Sequence, residues 1–179
     1  MPLSPTVTKG TIVSSGPGLG LALTFLFNPS EVSETRGLVY GQHSVPGASH
    51  PVYQFGAGGE RTISFTLQLD ADLGNRNPST RSQYLVNGQL SLDNVLRKLR
   101  ALTYPIETFS AAGIKIITVP TVYFTLGSVV EQRQMECIVK KVDPTISFFS
   151  PDLRPLKASV DVELAEYVRK RVTANQLFG

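Results

Sequence analysis

Two histidines, His43 and His50, stand in the stretch "GQHSVPGASHPVYQFGAGG" (41–59). Imidazole is the usual metal ligand and acid–base group near neutral pH, but either role needs partner groups at suitable spacing. The nearest carboxylates, Glu31, Glu34 and Glu60, show no such spacing, so both are read as loop histidines. Asp70 and Asp72 in "LDADLGNRNPSTR" open like a calcium loop, which requires glycine at its sixth position and a bidentate glutamate at its twelfth. Asn75 and Arg81 stand there instead, and the match fails at both. "GPGLGLAL" (16–23) offers glycines without the Lys-Ser/Thr pair of a phosphate cradle, and it runs into strand-like residues. It reads as a flexible approach to a strand. Cys137, the only cysteine, excludes an intrachain disulfide; in "MECIVKKV", with no nearby His, it reads as a small buried thiol rather than a nucleophile. No Gly-x-Ser-x-Gly elbow occurs. No catalytic, cofactor-binding or metal-binding residue is therefore assigned, no cofactor is expected, and the chain is read as a non-enzyme.

Composition describes a foldable chain whose poorly charged surface suggests that part of it is covered. The 179 residues are 41% hydrophobic and only 17% charged, enough apolar material for one domain and few charges for its surface. The whole chain, 1–179, is expected to be one β domain, with an N-terminal arm over 1–19 and a C-terminal tail over 169–179. A net charge of +3, from 17 basic and 14 acidic residues, is weak support for a nucleic-acid partner, and none of specific sequence is expected. The longest apolar run, around "LGLALTFLF", falls well short of the roughly 20 residues that cross a bilayer, and no membrane partner is expected. "MPLSPTVTKG" lacks the basic start and apolar core of a secretory signal, so the product is expected to be soluble when made.

The elements that would position any site are mostly strands. Residues 21–27 are apolar and end at the turn signal Asn28-Pro29. The stretch 41–59, dense in Gly, Ser and Pro, suggests a surface loop with a short strand at 52–55. "RTISFTLQLD" then alternates cleanly: Ile63, Phe65, Leu67 and Leu69 share one face, the period-two signature of a half-buried antiparallel strand. A loop is expected over 71–90. One helix is expected in "LDNVLRKLRALT" (92–103), with Ser91 as N-cap and Leu92, Val95, Leu96, Leu99 and Leu102 in a stripe. Strands follow at "IKIITV", at "TVYFTLG" and from Val129 to Val142, where Asp143-Pro144 is expected to end the third. The last strand places Ala158, Val160, Val162 and Leu164 on a buried face. Successive strands without alternating helices predict a mainly β, antiparallel barrel or sandwich with one α-helix.

Several of these pieces together resemble the tube-like and baseplate proteins of contractile injection systems and contractile-tailed phages. The shared pattern falls at Phe27, Asn28 and Pro29; at Gly59, Glu60, Arg61 and Thr62; at Asp70; at Pro120, Phe124 and Gly127; and at Phe149, Asp152, Pro155 and Ala158. It covers roughly residues 20–168. Leu126 stands where an aromatic is common, and Leu153 replaces the usual corner glycine, which implies a differently shaped turn over 150–155. Many relatives continue into a LysM module; with the sequence ending at Gly179, the function of that module is expected to be absent here or supplied by another protein.

The resemblance implies a tail-tube fold and a structural role without catalytic residues. The subunit would form a ring, typically a homohexamer, joining the central hub or spike to the tail tube or to the surrounding baseplate. Its partners would be its own copies, the tube, the hub or spike, and baseplate wedge or sheath proteins. The implied location is the virion tail or baseplate, assembled in the cytoplasm of a bacterial host. The residues themselves leave two other readings open: a monomeric β-sandwich binding carbohydrate or peptide, and an enzyme with a dispersed site. The 41–59 and 71–90 stretches are either assembly arms or solvated loops.

Overall fold

The computed structural model describes residues 9–15, 20–44, 46–47, 49–110, 113–126 and 134–167. Strands β1 (Thr11–Ser14), β2 (Ala22–Thr24), β3 (Val32–His43) and β4 (Val52–Asp70) come first. Two short helices follow, α1 (Ala71–Arg76) and α2 (Arg81–Tyr84), then the small strands β5 (Leu85–Val86) and β6 (Gln89–Leu90) and the helix α3 (Asp93–Ala101). β7 (Ile106–Phe109), β8 (Lys115–Thr118), β9 (Thr121–Thr125), β10 (Met135–Phe149) and β11 (Pro155–Glu166) complete the order. The expected arm 1–19 and tail 169–179 lie largely or wholly outside the described residues, as do most of the GPGLGLAL glycines and Gly127.

Seven strands hydrogen-bond in the order β2-β1-β9-β10-β11-β4-β3, antiparallel at every junction. The alternating stretches make its centre, with Ile63, Phe65, Leu67 and Leu69 buried beside Ala158, Val160, Val162 and Leu164. The Phe65 and Phe124 rings stack at 5.1 Å and 13°. Their strands, β4 and β9, lie three places apart in the sheet, which would hold them about 14 Å apart if the sheet were flat. The sheet therefore curls around its apolar face, and Phe25 joins the pair at 5.9 and 6.3 Å. Leu92, Val95, Leu96, Leu99 and Leu102 are all buried on the same core, as the helical stripe requires.

The fold is mainly β and antiparallel, as expected, but the sheet does not close into a barrel within one chain: β2 and β3 remain its edges. The expectation of a single helix is also corrected. The expected loop 71–90 holds α1, α2 and the β5–β6 hairpin, whose turn residues Asn87 and Gly88 have φ of 51° and 77°, the two left-handed residues of a type I′ turn. Such short helices are stabilised by packing rather than by propensity. Here Tyr84 is fully buried against the Gly74 backbone, and the Thr80 hydroxyl donates to the Gly74 carbonyl at 2.9 Å. Helix α3 begins one residue later than the pattern suggests and ends two earlier; Ser91 Oγ accepts the Asp93 N–H at 3.0 Å.

Three further boundaries differ. The expected strand over 21–27 shortens to β2. The supposed loop 41–59 belongs to the long β3–β4 hairpin, in register from Val32↔Phe65 to His43↔Val52. Its residues show no alternation because neither face of the ribbon is covered, so no apolar period is imposed on the sequence. Finally, β10 runs through Asp143-Pro144 instead of ending there. Strand β9 pairs with β10 only along Met135–Ile138, so at Pro144 the strand is a sheet edge, where the missing N–H is tolerated.

Candidate assembly surface

Several of the residues shared with the tube-like pattern are structural fasteners. Asn28 Oδ1 accepts the Gly10 N–H at 2.9 Å, tying the turn after β2 to the start of β1. Arg61 grips Glu34 with two bonds, Nε–Oε1 at 2.6 Å and Nη2–Oε2 at 3.0 Å, and this bond holds the Glu34 carboxyl below its usual range. Glu60 pairs with Lys140 of β10. Gly59 has a steric reason: a Cβ there would sit 2.5 Å from the Gly37 carbonyl oxygen, at the irregularity of the hairpin between Arg36 and Leu38. Gly59→Ala is therefore expected to destabilise the protein by about 1–3 kcal/mol. Gly58→Ala, whose Cβ meets only Arg36 Nη2 at 3.7 Å, should be close to neutral; urea denaturation of the two variants distinguishes them.

Asp70, placed at the end of β4, caps α1. Its Oδ1 accepts the N–H groups of Asp72 and Leu73 at 3.0 and 3.1 Å, and its Oδ2 lies 3.0 Å from Lys157 Nζ. Burial alone would raise this carboxyl, but the Leu73 N–H, the Lys157 ammonium and the Asp72 N–H outweigh it and hold it below the ordinary value. A depressed folded-state value means that the stabilisation is complete above the unfolded-state value near pH 4 and fades as pH falls through the folded-state one. Asp70→Ala is expected to cost about 1 kcal/mol at neutral pH. In thermal melts its gap from the wild type should narrow below about pH 4.

The corner between β10 and β11 is a tight turn. Leu153 N–H donates to the Ser150 carbonyl at 2.9 Å and Ser150 N–H to the Arg154 carbonyl at 2.8 Å, with Pro151 and Asp152 between them. Leu153 has φ 58°, the left-handed region that glycine enters freely and leucine does not. Leucine therefore occupies a left-handed position that glycine would enter without strain. Pro155 is buried, and its carbonyl accepts the Leu92 N–H at 2.9 Å, fixing the corner to the start of α3.

Two long backbone edges are bare. Past Ile138, β10 has no neighbour on the side away from β11 among the described residues, and the outer side of β3 has none along its length. Two ribbons also project from the core. On the outer part of the β3–β4 hairpin, Leu38, Val39, Tyr40, Val52, Tyr53 and Phe55 are each more than half exposed. Tyr40 stands edge-on to Tyr53 and Phe55, at 6.5 and 6.0 Å. On the β7–β8 hairpin, Phe109, Ile116 and Ile117 are exposed beside the Glu107–Lys115 pair at 2.7 Å. A two-stranded ribbon with both faces in water is marginal alone, and apolar exposure on this scale marks an interaction surface.

The residues whose types could do chemistry are scattered. His43 ends β3 opposite Val52, while His50 Nδ1 contacts Ser49 Oγ at 3.1 Å; Asp72 pairs with Arg76 at 2.7 Å. Cys137 is fully buried, and that burial, with the nearby Glu166, pushes its thiol up to about 12. Among the described residues no group of three or more His, Cys, Asp or Glu could hold a metal ion, and no helix is long and apolar enough to cross a membrane. The one sequence signal of the bare β10 edge is Pro144, which reads as a strand end until the short pairing with β9 is seen. No curated protein matches the chain. A family model described as contractile injection system tube protein matches it over residues 13–175.

Proposed function

The chain belongs to the contractile injection system tube protein family, and from that premise we propose that it is a ring-forming adapter of the tail. As a family member it is a structural component of a contractile injection system, working with other parts of the tail or injection machine. The finer reading is a homohexameric ring at the baseplate end of the tube, built from one tail-tube-like domain per copy, that links the hub or spike to the tube or surrounding baseplate. Its place would be the virion tail, built in the bacterial cytoplasm, and its chemistry would be none.

One observation supports the ring above the others: the four long strands β10-β11-β4-β3 run in alternating directions, and among the described residues the outer side of β3 and that of β10 past Ile138 are bare. Rotation about an axis along the strands preserves each direction. An even number of alternating strands then brings β10 of one copy beside β3 of the next in antiparallel sense, and since the registers set Val139–Val142 level with Glu34–Val32, each junction satisfies N–H and C=O groups of both edges over that stretch. A monomeric binding module is the second reading, favoured by the exposed Tyr40, Tyr53 and Phe55. Their rings meet at 88° and 80° rather than forming one plane, a poor platform for a sugar. Light scattering over a concentration series, with electron microscopy of the same samples, tests the choice. The ring reading expects closed six-fold particles that grow with concentration; a monomer at every concentration and in assembled tails would overturn it.

A further inference from the structure

Helix α3 buries one side and leaves the other charged. Val95, Leu96 and Leu99 are buried, while Arg97 and Arg100 are exposed and Lys98 is half-buried. The only carboxylate of the helix, Asp93, accepts the Ser91 hydroxyl at 2.7 Å. None of the three cations pairs with a described carboxylate, whereas Arg61, Arg76, Lys115, Lys140, Lys141 and Lys157 all do. Cations in the last turn suit the helix dipole, which accounts for Lys98 and Arg100. It accounts neither for Arg97, which precedes that turn, nor for the groove beside it. That groove, about 370 Å³, is lined by Asp93, Leu96, Arg97, Arg100, Ala101 and Tyr104, and Tyr104 is 67% exposed. The Thr103 N–H donates to the Arg100 carbonyl and the Tyr104 N–H to that of Ala101, continuing the turn past α3. Arg97, Arg100 and Tyr104, spaced three and four apart, therefore stay in one line about 10 Å long.

A six-fold ring puts this line on its outside. Six copies of four strands, about 4.8 Å apart, give a circumference of about 115 Å and a radius of about 18 Å. Helices packed about 10 Å inside that sheet would share a circle of about 50 Å. Six of them, each at least about 10 Å wide, need about 60 Å before β1, β2 and β9 are placed. The side carrying α3 therefore faces outward and the polar side of the strands faces in. A hollow of about 300 Å³ on that polar side agrees, for it is lined by Ser33, Thr66, Asp161 and Lys141, one from each of the four strands.

We propose that Arg97, Arg100 and Tyr104 form the docking line for an acidic segment of the protein that surrounds the ring, its carboxylates held by the two guanidinium groups and its apolar side chains by the groove. The proposal rests on the ring reading for the outward placement of α3, and adds which face meets the surrounding component and by what chemistry. Charge complementarity selects the occupant: two guanidinium groups without described partners, about 4.5 Å apart along the helix, match carboxylates one turn apart on a facing helix. A nucleic-acid backbone is the poorer match, since it calls for a longer run of cations, and Asp93 stands in the same groove.

The test uses the full-length protein and three labelled probes in fluorescence polarisation: a helical peptide carrying glutamate and leucine on one face, the same peptide with glutamine for glutamate, and an oligothymidylate. The glutamate peptide is expected to bind at least tenfold more tightly than the other two, and added salt should weaken it. Arg97→Glu combined with Arg100→Glu should weaken it at least tenfold and bind a lysine version of the peptide instead. Tyr104→Ser should weaken it several-fold, and Lys115→Glu, on the β7–β8 hairpin, less than twofold. The double variant should melt near the wild type and form the same rings by electron microscopy, because the line lies away from the β3 and β10 edges. Equal binding of the glutamate and glutamine peptides, or unchanged binding by the double variant, refutes the docking line and leaves the ring standing. Tighter binding of the oligothymidylate, lost in the double variant, overturns the proposal in favour of a nucleic-acid surface. If the wild type forms no rings at any concentration, the outward placement fails, and the surrounding protein with it, whatever the peptides do.

Discussion

Val160→Asp is expected to yield no folded protein. Val160 is fully buried at the middle of β11, opposite Leu67 of β4 and Pro144 of β10, with apolar neighbours and no cation in register. An unpaired carboxylate there loses its hydration for nothing, an effective penalty of several kcal/mol, and about 1.5–3 kcal/mol of side-chain burial goes with the valine. The sum rivals the whole stability of an ordinary domain, about 5–15 kcal/mol. Val162→Asp, two residues along the same buried face, should behave alike. Val160→Ala should remain folded at a cost of about 1–3 kcal/mol. Circular dichroism of the soluble fraction distinguishes the three; a folded Val160→Asp would mean that this face of β11 is not the core.

Phe124→Ala should produce the second largest loss, about 3–5 kcal/mol. Its ring is fully buried in the Phe25–Phe65–Phe124 cluster, stacked on Phe65 and tilted against Phe25. Truncation removes the contact that holds β9 over β4 where the sheet curls, so neighbouring groups cannot refill the space by sliding along a flat sheet. Phe27→Ala, at a position 44% exposed, is the control and should cost under about 1 kcal/mol. Urea midpoints of the two variants give the comparison, and equal midpoints would remove the cluster from its central place in the core.

How much of this was legible in the sequence followed from burial. Ile63 to Leu69 and Ala158 to Leu164 alternate because one face of each strand meets the core, and they were readable at once. The α3 stripe was readable for the same reason. The β3–β4 ribbon was not: with both faces bare, Gly56, Gly58 and Gly59 read as loop, although Gly59 is demanded by a strand's close approach to Gly37. Asp143-Pro144 reads as a strand end because proline breaks a central ladder; that it sits on an edge depends on β9 beginning only at Thr121, opposite Ile138, a tertiary fact. Asn87-Gly88, by contrast, was a readable hairpin signal within the supposed loop. The family pattern was legible as residue types in order, while the reason for each residue (the Asn28 tie, the Arg61–Glu34 fork, the Asp70 cap) required coordinates. Of the bare edges, on which assembly turns, that of β10 leaves one mark in residue type, Pro144, and that of β3 leaves none, since backbone groups carry no sequence.

The most direct test of the account is a cryo-electron microscopy map of the assembled particle, read at the boundary between neighbouring copies. The expected result is β3 of one copy hydrogen-bonded, antiparallel, to the β10 segment after Ile138 of the next, so that the sheet runs unbroken around the ring. A map in which those two strands end against solvent or against loops of their own copy would contradict it.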